Sequence, residues 1–243
     1  MIYVGIDDTD TLETQGTNQL ARALIGRLGA AAADAMIVRH QLLFDPRVPY
    51  TSHNGSASIL LKSQSAISVA ELRDLIHELR HGMQSWYVDG SDPGLCVATE
   101  VPRAVVEFGR RCQCEVVMQE EARDLAVRHR IHLEGLGGTE QGVIGALAAV
   151  GLAASADDGR VVHAASWPWP DDLCGPQDVG TIHARGIDAI RCTDSGQLVT
   201  EGIVDVGKRL RPNRRGGRVI LYVTAAPDSW PAPPFWLAVR LDV

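Results

Sequence analysis

Met1-Ile2-Tyr3-Val4-Gly5-Ile6-Asp7-Asp8-Thr9-Asp10 opens the chain. Its first six residues are apolar and rich in β-formers, and they run straight into acid. This pattern reads as a buried strand that stops where the charge begins. Three carboxylates within four residues repel one another, and they follow a strand whose burial makes unpaired charge costly. A divalent cation relieves that repulsion. Mg²⁺ takes oxygen ligands, commonly one or two carboxylates together with substrate phosphates. If the strand continues through Thr9, Asp8 and Asp10 project from one face and Asp7 from the other. The competing reading is a solvated turn whose Asp side chains bond nearby backbone N–H groups. Spacing alone leaves both open.

Downstream, Thr9, Thr11, Thr14 and Thr17 are interleaved with the acids, and Leu20, Leu24, Ile25 and Leu28 then recur at helical spacing. Thr17 or Asn18 suits the N-cap, and Gly29 is a natural stop. Thr17 therefore stands at a helix N-terminus, where free N–H groups and the dipole favour anions. Its hydroxyl is read either as a plain cap or as a phosphate ligand or acceptor.

Beyond this helix the pattern predicts strands over 36–44 and 56–62, separated by a Pro- and Gly-punctuated loop, 45–55. Ser68 and Glu71 form a capping-box pair before a helix carrying Leu72, Leu75, Ile76 and Leu79. A turn at 90–94, strands over 96–106 and 115–118, and a charged helix over 119–131 follow. Residues 135–142 carry four glycines in eight positions. They cradle a phosphate or make a tight turn capped by Thr139, and no Lys follows, so this is not a Walker A loop. Val143–Ala154 is apolar all round and reads as a buried helix. After Asp157 the pattern weakens to strand candidates at 161–165, 198–205, 218–224 and 236–241. The mixture of strands and helices without a βαβ period indicates an α+β (mixed α/β) fold in two lobes, divided near residue 130.

The chain has 243 residues, enough for one large domain or two small ones. Lys+Arg is 23 and Asp+Glu is 30, a net charge of −7, which argues against wrapping nucleic acid by bulk charge. The basic cluster Arg209, Arg211, Arg214, Arg215 and Arg218 is either a phosphate- or RNA-facing patch or a solvated hairpin face. The five cysteines contain no Cys-x-x-Cys pair, so no zinc ribbon is expected. The N-terminus lacks the basic start of a signal peptide, and the longest apolar run falls short of the roughly 20 residues of a membrane span. The expectation is a soluble protein of the reducing cytoplasm. His53, Asn54 and Asp92 are polar groups on turn-rich loops, where binding residues commonly sit.

Gly5-Ile6-Asp7-Asp8-Thr9-Asp10, Asp45-Pro46 with Pro49-Tyr50, Asn54-Gly55, Asp92-Pro93-Gly94 and the run from Gly142 to Gly151 occur in the order and approximate spacing found in one family. Over most of residues 1–155 the chain resembles the agmatidine synthetases of archaea. These modify the wobble cytidine of an isoleucine tRNA, using ATP and agmatine. The resemblance implies a kinase-like ATP/Mg domain over 1–130 and a ferredoxin-like domain over 131–243, without the family's OB-fold and zinc ribbon. It implies ATP and Mg²⁺ as cofactors, with Asp7, Asp8 and Asp10 as Mg²⁺–ATP residues. Thr17 falls at the threonine that the family's kinase domain phosphorylates. Where the family reads Gly-Met-Cys-Thr-Thr, this chain reads Thr14-Gln15-Gly16-Thr17-Asn18, and the basic residues after Pro-Tyr become Thr51-Ser52-His53.

The function expected from these readings is Mg²⁺/ATP-dependent phosphoryl transfer. A cytosine-like carbonyl oxygen is activated by phosphorylation and then displaced by an amine. Asp7, Asp8 and Thr17 are the candidate catalytic residues. Asp10, Thr9, Asn54, Asp92, Gly137, Gly138, Thr139 and Gly142 are the candidate nucleotide-binding residues. The expected partners are ATP, an amine such as agmatine, and tRNA as acceptor, with no membrane; self-association as a homo-oligomer stays open. Two other classes fit the same residues. One is a catalytically silent nucleotide-binding module, distinguished by ATP binding without turnover. The other is an RNA-binding accessory built on the arginine cluster, distinguished by a steep fall of RNA affinity with salt.

Overall fold

The computed structural model describes residues 1–9, 11, 16–48, 54–63, 65–165, 167–168, 173–227 and 235–241. The chain divides into two compact units, Met1–Ser155 and Ala156–Val243.

The first unit runs β1 (Ile2–Asp7), α1 (Thr17–Leu28), β2 (Met36–Gln41), β3 (Gly55–Leu61), α2 (Val69–Gln84), β4 (Gly94–Ala98), α3 (Arg103–Arg111), α4 (Gln119–His129), β5 (His132–Gly135) and α5 (Gly142–Ser155). Its five strands are ordered β5-β4-β1-β3-β2, and every neighbouring pair is antiparallel. Strand β1 is central because its residues are apolar on both faces. Val4 and Ile6 face one side, in register with Ile59 and Ala57 of β3. They are fully buried with Ile37 and Ile59, and α1 packs over this face. Tyr3 and Gly5 face the other side, where α3, α4 and α5 assemble a core around Phe108, Ala122, Ala126, Leu147 and Leu152.

Eleven of the fourteen residues of α5 are buried, as its uniformly apolar sequence predicts. This helix approaches the sheet unusually closely. A Cβ on Gly5 would collide with the Ala146 carbonyl, and a Cβ on Gly94 would collide with the backbone of Gly142. The predicted capping box at α2 is present: the Glu71 N–H donates to Ser68 Oγ (3.2 Å) and the Ser68 N–H to Glu71 Oε2 (2.8 Å).

The division between units falls after α5, not near residue 130. The physical reason is the burial of α5 against β1, β4 and α3 of the first unit. Two predicted strands are also corrected. Only 96–98 of the 96–106 stretch pair in the sheet, as the end of β4; the chain turns at Pro102 into α3, whose Val105 and Phe108 are buried. Residues 115–118 are not strand, while 132–135 pair with β4 as an edge strand.

The second unit contains β6 (Arg160–Ala164), β7 (Pro176–Asp178), α6 (Val179–His183), β8 (Ala189–Cys192), β9 (Ile203–Asp205), β10 (Asn213–Arg215), β11 (Arg218–Ala225) and β12 (Phe235–Ala238). Strand β11 is its centre. It forms a hairpin with β10 across Gly216-Gly217, pairs antiparallel with β12 and runs parallel to β8. Ile190, Val204, Leu221 and Val223 lie in its interior. The three-residue strands β7, β9 and β10 and the five-residue helix α6 are too short to carry a period that a sequence reading could detect. Among the described residues, no helix is long and apolar enough to cross a membrane.

Candidate functional site

Strand β1 ends at Asp7, and Asp8 then adopts a left-handed conformation with φ of 50°. Asp is among the non-glycine residues that tolerate this conformation as a single residue in a turn. Here the Asp8 carbonyl accepts the Asp92 N–H at 3.1 Å. The strand therefore does not continue through Thr9, and strict alternation of Asp7, Asp8 and Asp10 is broken. Asp7 and Asp8 instead both line one cleft at the end of β1. Asp7 lies across α5 at Gly145, where a Cβ would collide with its carboxylate oxygen Oδ2. Gly145 is thus the space that the carboxylate occupies.

Thr17 lines the same cleft from the first turn of α1. The N-cap is Gly16, which makes no side-chain cap, so Thr17 is the first helical residue and not the cap. Its hydroxyl accepts a hydrogen bond from Thr9 Oγ1 at 3.1 Å, and both residues are buried. Thr9 is not a wall of the cleft; it stands behind Thr17.

The facing wall comes from the end of β2 and the start of β3. Asn54 and Gly55 line the cleft, with Leu42 and Leu43. Asn54 Nδ2 donates to the Leu43 carbonyl (2.7 Å), and its own carbonyl accepts from Leu42 N–H (2.9 Å) and Gln41 Nε2 (2.6 Å). Cys112 adds an apolar patch. Burial, partly offset by Arg111 and reinforced by Asp7, pushes its thiol up to about 12. It is a neutral wall residue at physiological pH, not a nucleophile. The whole cleft offers about 100 Å³ of space to water.

The glycine-rich loop is tied to Asp92. The Thr139 N–H and hydroxyl both donate to the Asp92 carboxylate, the latter at 2.8 Å. A Cβ on Gly138 would collide with Asp92, and one on Gly137 would collide with the Tyr87 ring. Arg123 pairs with Glu140, and Gln119 Nε2 donates to the Glu140 carbonyl at 2.9 Å. Both Thr139 donors are thus committed within the protein. Asp92, Gly137, Gly138 and Thr139 do not line the cleft; Gly142 and Gln141 are the loop's contribution to it.

Asp10, Thr14, Gln15, Pro49, Tyr50 and His53 lie outside the described residues. Among the described residues, no three His, Cys, Asp or Glu side chains gather as a metal site. The polar side chains lining the cleft are the carboxylates of Asp7, Asp8 and Glu115, the Thr17 hydroxyl and the amides of Asn54 and Gln141; the Asp7, Asp8 and Thr17 oxygens are hard donors that suit Mg²⁺ shared with a polyphosphate. In the second unit three of the five arginines of the basic cluster donate to carbonyls: Arg211 to Leu210 (2.6 Å), Arg215 to Arg214 (2.9 Å) and Arg218 to Asp188 (3.1 Å).

Sequence reasoning missed Cys112, Leu42 and Gly145 as parts of the site. Gly142-x-x-Gly145 at one-turn spacing was the available signal, because it marks a helix face open to close approach.

No protein-family model matches the chain. The tRNA(Ile2) 2-agmatinylcytidine synthetase TiaS of Archaeoglobus fulgidus is 30% identical over 155 residues, covering 62% of this chain and 35% of that protein. Over that stretch the chain is TiaS-like. The crystal structure of a TiaS–tRNA(Ile2)–ATP complex matches with a TM-score of 0.52 and 23% identity over 62% of this chain and 36% of that one. Apo TiaS, described as tRNAIle2 agmatidine synthetase, matches with a TM-score of 0.51 and 23% identity over 62% of this chain and 35% of that one. At these identities the two structures share the TiaS-like fold with this chain. The chain spans about a third of the length of the curated relative it matches.

Proposed function

We propose that the chain is an Mg²⁺/ATP-dependent phosphoryl-transfer enzyme whose chemistry is that of an agmatidine synthetase. The observation that carries this reading is the convergence of Asp7, Asp8 and Thr17 on one cleft at the end of β1. The likeness to TiaS, a tRNA(Ile2) 2-agmatinylcytidine synthetase, supports it.

In this reading Asp7 and Asp8 hold Mg²⁺, and Asp10 belongs with them. The bound ion neutralises phosphate charge and draws electron density from the transferring phosphoryl group. The remaining work is positioning. Asp7 is fixed by its seat on Gly145, and Asp8 by the backbone bond to Asp92. The Thr17 hydroxyl, oriented by Thr9, meets the phosphate at the N-terminus of α1. The apolar wall of Leu42, Val117 and Cys112 keeps water from the transferring group.

The proposed acceptor is the carbonyl oxygen of a cytosine-like base, carried on tRNA. Phosphorylation makes that oxygen a leaving group. An amine such as agmatine then adds at the carbon, loses a proton, and phosphate departs with the oxygen.

The test is ATP turnover by the full chain with Mg²⁺, an amine and a cytidine-containing tRNA. Asp8→Asn should lower it by about 100-fold or more while the protein stays folded. Turnover unchanged by Asp8→Asn overturns the reading.

A further inference from the structure

Behind the cleft, three strands bring polar side chains into a row. The β1–β3 register pairs Gly5 with Ser58 and Ile6 with Ala57, so its next step sets Asp7 opposite Ser56. The β2–β3 register pairs Ser56 with His40 and Ser58 with Val38. Alternation along each strand puts Asp7, Ser56, Ser58 and His40 on one face of the sheet. It is the face that α5 covers: Gly5 lies against the Ala146 carbonyl, and Asp7 against Gly145.

Ser56, Ser58 and His40 are fully buried. Two of them are joined, because His40 Nε2 and Ser58 Oγ are hydrogen-bonded at 2.9 Å. Ser56 is different: among the described residues its Oγ has no hydrogen-bond partner. A buried hydroxyl left unpaired is destabilising, and alanine fills almost the same space without that cost. For folding alone, the hydroxyl is a liability. Directly opposed residues of an antiparallel pair stand about 5 Å apart at Cβ, within reach of one side-chain rotation. The carboxylate of Asp7 offers about four lone-pair positions, enough to take a donor while it holds a cation. Carboxylates that hold metals are ordinarily hydrogen-bonded from behind in this way.

We propose that Ser56 is a positioning residue for Asp7. Its hydroxyl donates to the Asp7 carboxylate when that group holds a divalent cation, and so fixes which oxygen faces the ion. Ser56 does not line the cleft, although its neighbour Gly55 does, so it acts through Asp7. This role rests on the Mg²⁺-binding reading of Asp7 and deepens it.

The experiment is calorimetric titration of the full chain with Mn²⁺, with and without ATP, beside urea unfolding of the metal-free protein. Wild type, Asp7→Asn, Ser56→Ala and Ser58→Ala are compared. Wild type is expected to bind Mn²⁺ and Asp7→Asn to lose it. Ser56→Ala should weaken Mn²⁺ about tenfold, while its metal-free urea midpoint equals or exceeds that of wild type. Ser58→Ala, which removes a partner of His40, should lower the midpoint and keep the Mn²⁺ affinity. If Ser56→Ala does not fold, Ser56→Cys, a weaker donor of similar size, carries the same comparison. Mn²⁺ affinity unchanged at position 56, with Asp7→Asn abolishing binding, overturns the positioning role and leaves the metal reading intact. A metal-free midpoint that falls in Ser56→Ala as it does in Ser58→Ala makes the hydroxyl structural and also overturns the role. No Mn²⁺ binding by wild type in either titration overturns the metal reading and the role together.

Discussion

Thr9 donates its hydroxyl to the hydroxyl of Thr17, 3.1 Å away, and both side chains are buried. The bond spans the turn between β1 and α1, so it ties the strand end to the helix start. Thr9→Val keeps the shape and removes the donor. It should cost about 1 kcal/mol of stability, the usual net worth of a hydrogen bond. In the proposed enzyme it should also lower ATP turnover several-fold, because the Thr17 hydroxyl loses its orientation. Urea unfolding reads the first effect and steady-state turnover the second. Full turnover in a folded Thr9→Val protein shows that the pair only joins the two elements.

Gly145 makes room for the Asp7 carboxylate, and Gly151 makes room for the Val105 carbonyl on the same helix. Alanine at either position forces an extra methyl into a packed contact, at roughly 1–3 kcal/mol. The two variants should differ in function. Gly145→Ala displaces Asp7 and should abolish Mg²⁺-dependent ATP binding, whereas Gly151→Ala, at the α3 contact, should bind ATP as wild type does. Equal ATP affinities in both folded variants mean that Asp7 does not touch the ligand assembly.

The legible parts of this fold are those with a strong local period or a specific end signal. The apolar opening gives β1, the Ser68/Glu71 box gives the start of α2, and the all-apolar run gives α5. Residues 103–106 read as the end of a strand because Val105 and Val106 are β-branched, yet tertiary packing of Val105 and Phe108 against α5 makes 103–111 helix. At the site, the acids and Thr17 are legible because their chemistry lies in one short segment. The committed glycine loop is not. Asp92 stands 47 residues before Thr139, and no local pattern announces that their donors and acceptors cancel.

That cancellation has a direct test. Asp92→Ala leaves the Thr139 N–H and hydroxyl without their acceptor and frees the loop before α5. The change should cost about 1 kcal/mol and speed amide exchange over 135–142. ATP affinity should stay within a factor of about two, since the loop's donors do not face the cleft. A tenfold fall in affinity, with the fold intact, restores the phosphate-cradle reading of Gly137, Gly138 and Thr139.

His132 on edge strand β5 should make the stability of the protein depend on pH near neutrality. Its Nε2 lies 3.0 Å from Glu134 Oε2, and Glu134 is gripped by Arg80 through bonds of 2.7 and 3.0 Å. Burial lowers the His132 pKa, Arg80 adds to the lowering, and Glu134 opposes both. The folded protein therefore takes up this proton less readily than the unfolded chain, whose histidine titrates near 6.5. Stability from His132 is fully present above about pH 6.5 and is lost as pH falls through its lower folded value. Glu134 acts in a second, more acid window. Burial raises its pKa, but the Arg80 hydrogen bonds outweigh that and leave it lowered. Its stabilisation is present above about pH 4.5 and declines as the carboxylate is protonated. Urea midpoints measured from pH 7.5 to 5 should fall in wild type and fall less in His132→Gln, with both proteins losing further stability as pH falls below about 4.5 and Glu134 is protonated. Parallel midpoint curves for the two proteins between pH 7.5 and 5 rule out His132 as the source of the slope.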